Sequence, residues 1–194
     1  CVVVSWILKP LPRRALVLLA DAAGAFCYHV LRIRRKLVDA NIALALGATH
    51  SLAERRTIAR RCYQNVLLTS FEFLQPNPVF TPNWDSFARM EGIEHARPFF
   101  GGRPALMVTG HIGNWEGMAA LLERYDLRMV AVAKPLHNPL VQKRVLAGRA
   151  RYPRLEILLT HSSMKAVVDA TRVGKWVAFV ADQDSRRTGI FVDF

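Results

Sequence analysis

The chain has 194 residues and 52% of them are hydrophobic, which fits one folded domain or a fragment and excludes a mainly disordered protein. The 27 Lys and Arg outnumber the 15 Asp and Glu, so the net charge is +12 and we expect an acidic partner. Three widely spaced cysteines argue against a disulfide framework or a cysteine zinc site, and they indicate a reducing compartment. The sequence runs from Cys1 to Phe194, which lies in an apolar run, so we expect a fragment cut at both ends.

Residues 1–75 are predicted to form a helical, membrane-associating region. Residues 15–31 are apolar but are interrupted by Asp21 and His29, so no charge-free run long enough for a plain transmembrane helix exists. Residues 13–61 contain ten Lys and Arg but three Asp and Glu. Two interpretations remain open: a helix lying on an anionic cytoplasmic leaflet, or an ordinary amphipathic helix with a solvated basic face.

Helix-start and helix-stop patterns divide this region. Residues 34–46 are predicted to be helical and to end at Gly47. A second helix is predicted over residues 51–74, where Ser51 and Glu54 have the spacing of a capping box. Prolines and asparagines after residue 75 predict a loop as far as residue 85.

Residues 76–194 are predicted to form an α/β domain with a mostly parallel sheet flanked by helices. The predicted strands are residues 105–109, 129–133, 155–159 and 176–181. Between them, a helical stretch is predicted after Gly110 as far as about residue 125, and helices are predicted over residues 139–150 and 163–173. Ligands of such sheets bind beyond the carboxyl ends of the strands, where residues 110–116 and 182–189 are expected.

His111 and Glu116 are the strongest candidates for catalysis. Five residues on an α-helix turn about 140°, so the two side chains can converge only if His111 lies in the turn before a helix. Gly110 and Gly113 give the backbone the freedom for that turn. An imidazole held by a carboxylate is a typical general base for activating a hydroxyl. The alternative is a loop histidine beside an acid that favours the positive end of a helix.

The string HIGNWE at residues 111–116 resembles the His-x4-Asp/Glu motif of the bacterial lipid A biosynthesis acyltransferases, which belong to the glycerolipid acyltransferase fold group. Residues 35–46, 91–95, 134–140 and 182–192 resemble other segments of that family, although Lys134 stands where the family usually has arginine. The likeness covers nearly all of residues 10–194. Family members continue beyond it, so we expect roughly the last third to be absent.

The resemblance implies transfer of a fatty acyl chain from an acyl-carrier-protein or CoA thioester to a hydroxyl of a lipid A precursor or related glycolipid. His111 would be the general base and Glu116 its partner, with no metal and no cofactor. It places the protein at the cytoplasmic face of the cell inner membrane. The acidic carrier, the phosphorylated acceptor and an anionic membrane surface would all favour a basic protein.

Several further residues are candidates for substrate binding. Backbone N–H groups near Gly113 and Asn114 are candidates for oxyanion stabilisation. Residues 134–154 contain six Lys and Arg and no acid, and Asp182 and Arg186 follow the last predicted strand. The full set of candidates is Gly113, Asn114, Lys134, Asn138, Arg149, Asp182 and Arg186. The alternatives are turn or cap residues, a solvated basic helix face and a charged turn.

Three other functions remain open. A nucleic-acid-binding module would suit the charge, but no binding motif is found, so nucleic acid is not expected as a partner. A thioesterase or hydrolase would use the same residues to activate water. A membrane-associated protein without catalytic activity is the third.

Overall fold

A computed structural model describes residues 2–8, 10–75, 90–160 and 164–183. The chain divides into two compact units, residues 1–77 and residues 78–194, and each is described by itself.

The first unit is helical. Its elements are α1 (Val2–Leu8), α2 (Arg13–Phe26), a π-helical turn (Cys27–Leu31), α3 (Arg35–Leu46) and α4 (Leu52–Leu74). The helices predicted over residues 34–46 and 51–74 are confirmed. Gly47 follows α3 as predicted, and the capping box is formed, because the Glu54 carboxylate accepts from the Ser51 N–H at 2.8 Å while the Ser51 hydroxyl accepts from the Glu54 N–H at 3.3 Å.

Helix α2 packs closely against α4. Its buried residues Leu16, Ala20 and Gly24 recur every four positions, so they form one stripe along the helix. A Cβ atom at Gly24 would lie 2.8 Å from the Cα of Gln64, closer than side-chain carbons approach. The absence of a side chain at position 24 therefore lets the two backbones approach.

The helical stretch Arg13–Leu31 is 19 residues long and, by length and composition alone, could cross a membrane. Core helices of soluble proteins meet the same criterion. The stretch contains Asp21 and His29, the interruptions already seen in the sequence.

The described part of the second unit contains a four-stranded parallel sheet, in agreement with the predicted mostly parallel sheet. Its strands are β1 (Leu106–Thr109), β2 (Met129–Ala133), β3 (Leu155–Leu159) and β4 (Trp176–Val180), and they lie in the order β1-β4-β2-β3. Its α-helices are α5 (Ile93–Ala96), α6 (Ala120–Arg124), α7 (Pro139–Arg149) and α8 (Met164–Arg172), with short 3-10 turns at Arg97–Phe99 and Gly117–Ala119.

Apolar residues are buried on both faces of this sheet. Met129 and Ala178 pack with Leu122 of α6, whereas their neighbours Val130 and Val177 pack with Ala170 of α8. Successive residues of a strand point to opposite faces, so the two clusters lie on opposite sides. The α/β fold class is thus confirmed, with helices on both faces of a parallel sheet.

The helical stretch predicted after Gly110 as far as about residue 125 is much shorter in the structure. Helical geometry begins at Gly117, because Gly113 has a φ of +58° and the Asn114 side-chain oxygen accepts the Gly117 N–H at 2.9 Å. A left-handed residue and a side-chain turn hold residues 110–116 out of the helix. The oxyanion site expected at a helix start near Gly113 and Asn114 therefore lacks the helix that it required.

We expect Gly24→Ala to lower the stability of the first unit. Alanine favours a helix over glycine by about 1 kcal/mol, but here the added methyl meets the Gln64 backbone. Thermal or urea unfolding measures the result. Ala22→Leu is the matched control, because position 22 is exposed. A rise in the stability of Gly24→Ala would contradict close packing of α2 on α4.

Candidate active site

The parallel pairing of β1 with β4 sets the position of the candidate site. Thr109 is paired with Val180, and the Ala181 N–H continues the ladder by donating to the Thr109 carbonyl at 2.8 Å. His111 and Asp182 each lie two residues beyond this pair, at the carboxyl edge of the sheet. The register therefore brings them level with each other.

The Asp182 carboxylate holds His111 at two points. One oxygen accepts the backbone N–H of His111 at 2.7 Å, and the other lies 2.7 Å from the ring Nδ1. Because an ionised carboxylate only accepts hydrogen bonds, Nδ1 carries a proton, and in the neutral imidazole Nε2 is then left with its lone pair. The imidazole thus has the tautomer that a general base requires.

The charge state of Asp182 follows from the same contacts. The hydrogen bond from the His111 ring, and then that from the His111 backbone, hold the pKa of Asp182 below its ordinary value of 3.8. Asp182 is therefore ionised at neutral pH. The side chains of His111 and Asp182 are 33% and 40% exposed, so the site is accessible to a substrate. The Trp115 ring packs edge-on to the imidazole, with centroids 5.0 Å apart.

The predicted pairing of Glu116 with His111 needs correction, because the imidazole is held by Asp182 and Glu116 is held by Arg149. The Arg149 Nε donates to one Glu116 oxygen at 3.1 Å and Nη2 donates to the other at 2.7 Å. Glu116 precedes the 3-10 turn, and its side chain reaches the last residue of α7. Both side chains are mostly buried, at 17% and 22% exposure, so this two-point ion pair leaves no net charge at a largely apolar surface.

A cavity of about 420 Å³ lies on the α6 face of the sheet. Glu116 and Arg149 form part of its wall, and so do Thr109 and Trp115, which flank His111 in the sequence. Apolar side chains make up most of the remaining wall, among them Met107, Met118, Leu121, Met129, Ile157 and Trp176. His111 and Asp182 are not among the lining residues, but the His111 ring contacts that of Trp115, which is. The His111–Asp182 pair therefore lies next to a volume suited to an apolar group.

Comparison with known families identifies the chain. A family model described as bacterial lipid A biosynthesis acyltransferase matches residues 1–194. The chain belongs to this family. Membership supports an acyltransferase role and a lipid A-type acceptor. No curated protein matches the chain significantly.

The other candidate residues of this acyltransferase family member have different surroundings. Asn138 caps α7, because its side-chain oxygen accepts the N–H groups of Leu140 and Val141 at 3.0 and 3.2 Å. Lys134 is exposed directly after β2. Arg186 lies outside the described residues, as do the neighbouring motif positions 184–192.

Sequence reasoning treated Asp182 as a substrate-binding candidate and missed its contact with His111. The available indication was that residues 110–116 and 182–189 were both expected at the carboxyl edge. Placing Asp182 beside His111 required the strand order, in which β4 lies next to β1, and local spacing does not give that order.

The lowered pKa of Asp182 gives a prediction for pH titration. A depressed carboxylate pKa stabilises the fold above pH 3.8, and this contribution is lost as the pH falls through the lower folded value. We expect NMR titration of the Asp182 carboxyl carbon to give a midpoint below 3.8, and His111→Ala to raise it. Identical midpoints in the two proteins would contradict the hydrogen-bonded pair.

Proposed function

We propose that the protein transfers a fatty acyl chain from an acyl-carrier-protein or CoA thioester to a hydroxyl of a lipid A precursor or a related glycolipid, at the cytoplasmic face of the inner membrane. The observation that carries this proposal is the His111–Asp182 pair, whose imidazole contacts Trp115 in the wall of a mainly apolar cavity. Family membership supports the general reaction class.

The pair has the groups that such a transfer needs. The Nε2 atom of His111 takes the proton of the acceptor hydroxyl as its oxygen attacks the thioester carbonyl. The carbon–sulfur bond then breaks, and the proton on His111 passes to the departing thiolate. Asp182 fixes the tautomer and stabilises the imidazolium that forms between these steps. The acyl group moves directly to the acceptor, so no acyl-enzyme intermediate is required.

The cavity is the proposed site of the acyl chain. Its volume of about 420 Å³ falls within the usual range for small-molecule sites. Each methylene that enters from water contributes ~0.8 kcal/mol, so affinity grows with chain length until the space is filled. Glu116 and Arg149 contribute to this wall as a neutral pair, and we assign Glu116 to positioning rather than to proton transfer.

The exposed basic residues after β2 and along α7 suit acidic substrates. Lys134 and Lys143 are both exposed, and Lys134 directly follows a strand at the carboxyl edge. An acidic carrier protein or a phosphorylated glycolipid would gain favourable electrostatic interaction there. These lysines are the residues that we propose for docking the donor or the acceptor.

We expect His111→Ala to lower acyl transfer by ~10²–10⁴-fold, the usual contribution of a general base. The imidazole is partly exposed, and the hydrogen bond from the His111 backbone N–H to Asp182 is kept, so the melting temperature should fall only slightly. Transfer is measured by mass spectrometry with an acyl donor and a glycolipid acceptor. Activity within about threefold of the wild type would exclude His111 as the base.

Asp182→Asn and Glu116→Gln separate the two carboxylates. Without the Asp182 charge the imidazolium loses its anionic partner, so the acid limb of the rate–pH profile should move to lower pH and the rate should fall. Glu116→Gln should leave that limb in place, because Glu116 contacts Arg149. A shift with Glu116→Gln and none with Asp182→Asn would reverse the assignment.

Product analysis distinguishes transfer from hydrolysis. The same pair could activate water, and a thioesterase would release free fatty acid whether or not an acceptor is present. The proposed function requires acylated glycolipid that appears only with the acceptor and disappears in His111→Ala. Free acid as the main product in both conditions would establish a hydrolase.

A further inference from the structure

Helix α2 and the π-helical turn have an exposed apolar stripe. Leu18, Phe26 and Val30 are 50–70% exposed, and Ala22 between them is exposed as well. These positions recur at multiples of four residues, so they lie on one side of the helix. The buried residues of the same segment, Leu16, Ala20, Gly24 and Tyr28, are offset from the stripe by two residues. Two residues turn about 200°, so the exposed stripe lies opposite the surface that packs on α4.

Basic residues lie at both ends of this stripe. Arg13 and Arg14 begin α2, and a concave surface at its far end is lined by Arg32, Arg34, Arg35, Lys36, Leu37 and Asp39. Apolar Leu31 and Ile33 are exposed beside these cations. An exposed apolar helix face accompanied by Lys and Arg is typical of helices that lie at a membrane interface.

Arg35 differs from the other cations of this surface. Its guanidinium lies 4.4 Å from the centroid of the Tyr28 ring and donates to Asp39 at 3.3 Å, so it stabilises the fold locally. In the part of the unit that the structure describes, Arg32, Arg34 and Lys36 form no salt bridge. Arg32 and Arg34 have left-handed backbones, with φ values of 52° and 53°.

The packing of α2 on α4 argues against a membrane-crossing orientation. Gln64 of α4 contacts the α2 backbone, since its side chain donates to the Asp21 carbonyl at 3.5 Å. The same helix contains Arg55, Arg56, Arg60 and Arg61. If α2 crossed a bilayer in this arrangement, α4 would place these charges in or near hydrocarbon, which is costly.

We propose that residues 18–36 form a peripheral docking surface for an anionic bilayer. The stripe of Leu18, Phe26 and Val30 enters the interface, Arg32, Arg34 and Lys36 bind lipid phosphates, and α2 lies parallel to the membrane plane. This inference rests on the membrane location in the proposed function but not on the acyl-transfer chemistry.

Vesicle flotation tests the basic part of this surface. We expect the chain to bind vesicles of phosphatidylcholine with about one-third phosphatidylglycerol, and to bind pure phosphatidylcholine weakly. The combined variant R32N, R34N and K36Q removes three charges. Asparagine is chosen at positions 32 and 34 because it adopts the left-handed backbone conformation found there. Its affinity should fall about fivefold per charge, on the order of 100-fold in total.

The matched control is R56Q, R60Q and R61Q, which removes three exposed charges from α4. Its affinity should change far less. An equal loss in both variants would show that binding follows total charge, and an unchanged affinity in the first variant would also overturn the proposal. Melting curves should be unaffected, because the substituted residues are exposed.

Two further measurements test the apolar stripe and the orientation. L18S with F26S and V30S should abolish the binding that persists at high salt, whereas unchanged binding would exclude insertion. Washing the vesicles with alkaline carbonate should release the chain, and retention would show a membrane-spanning helix. His111→Ala should still float with the vesicles while losing acyl transfer, so failure of docking and failure of catalysis are distinguishable.

Discussion

The pairing of β1 with β4 is the constraint on which the candidate site depends. Neither strand carries the dyad itself, but each ends two residues before one of its members. Neighbouring parallel strands end at the same edge of a sheet, so the residues that follow them lie close together. Asp182 contacts His111 twice in this arrangement, with one carboxylate oxygen at the His111 backbone N–H and the other at the ring Nδ1. A shift in register would remove both contacts together.

The Glu116–Arg149 pair places a second restraint on the same region. Glu116 belongs to the turn after β1, and Arg149 ends the helix between β2 and β3, so their two hydrogen bonds connect segments that have no strand pairing with each other. A carboxylate in a mainly apolar wall would be unfavourable alone, and its neutralisation by arginine makes the wall compatible with an apolar ligand. The motif His-x4-Glu therefore contains two residues whose side chains contact different partners.

Much of the architecture could be predicted from local patterns. Strand and helix positions in the second unit follow from apolar runs and breakers, and the Ser51–Glu54 capping box follows from its spacing. The site was predicted less well. Glu116 was chosen as the acid of the His-x4-Asp/Glu motif, whereas the carboxylate that contacts the His111 ring in the structure is Asp182, 71 residues away. Sequence spacing describes neighbours along one element, and the neighbour that matters here is determined by strand order. The short helical turn at Gly117 was missed for a related reason, since the Asn114 side chain competes locally for a backbone N–H.

The strand order also governs when the site can form during synthesis. In the described sheet β1 pairs with β4, which is the last of the four strands to be made, whereas β2 and β3 pair across a single helix. A growing chain can close the β2–β3 unit early, but β1 must wait for β4 to insert between it and β2. Until then the His111 imidazole is not held by Asp182 and the cavity lacks the β4 part of its wall. Among the described strands, the dyad forms only when β4 pairs with β1, so a nascent chain cannot hold His111 against Asp182 before β4 has been made.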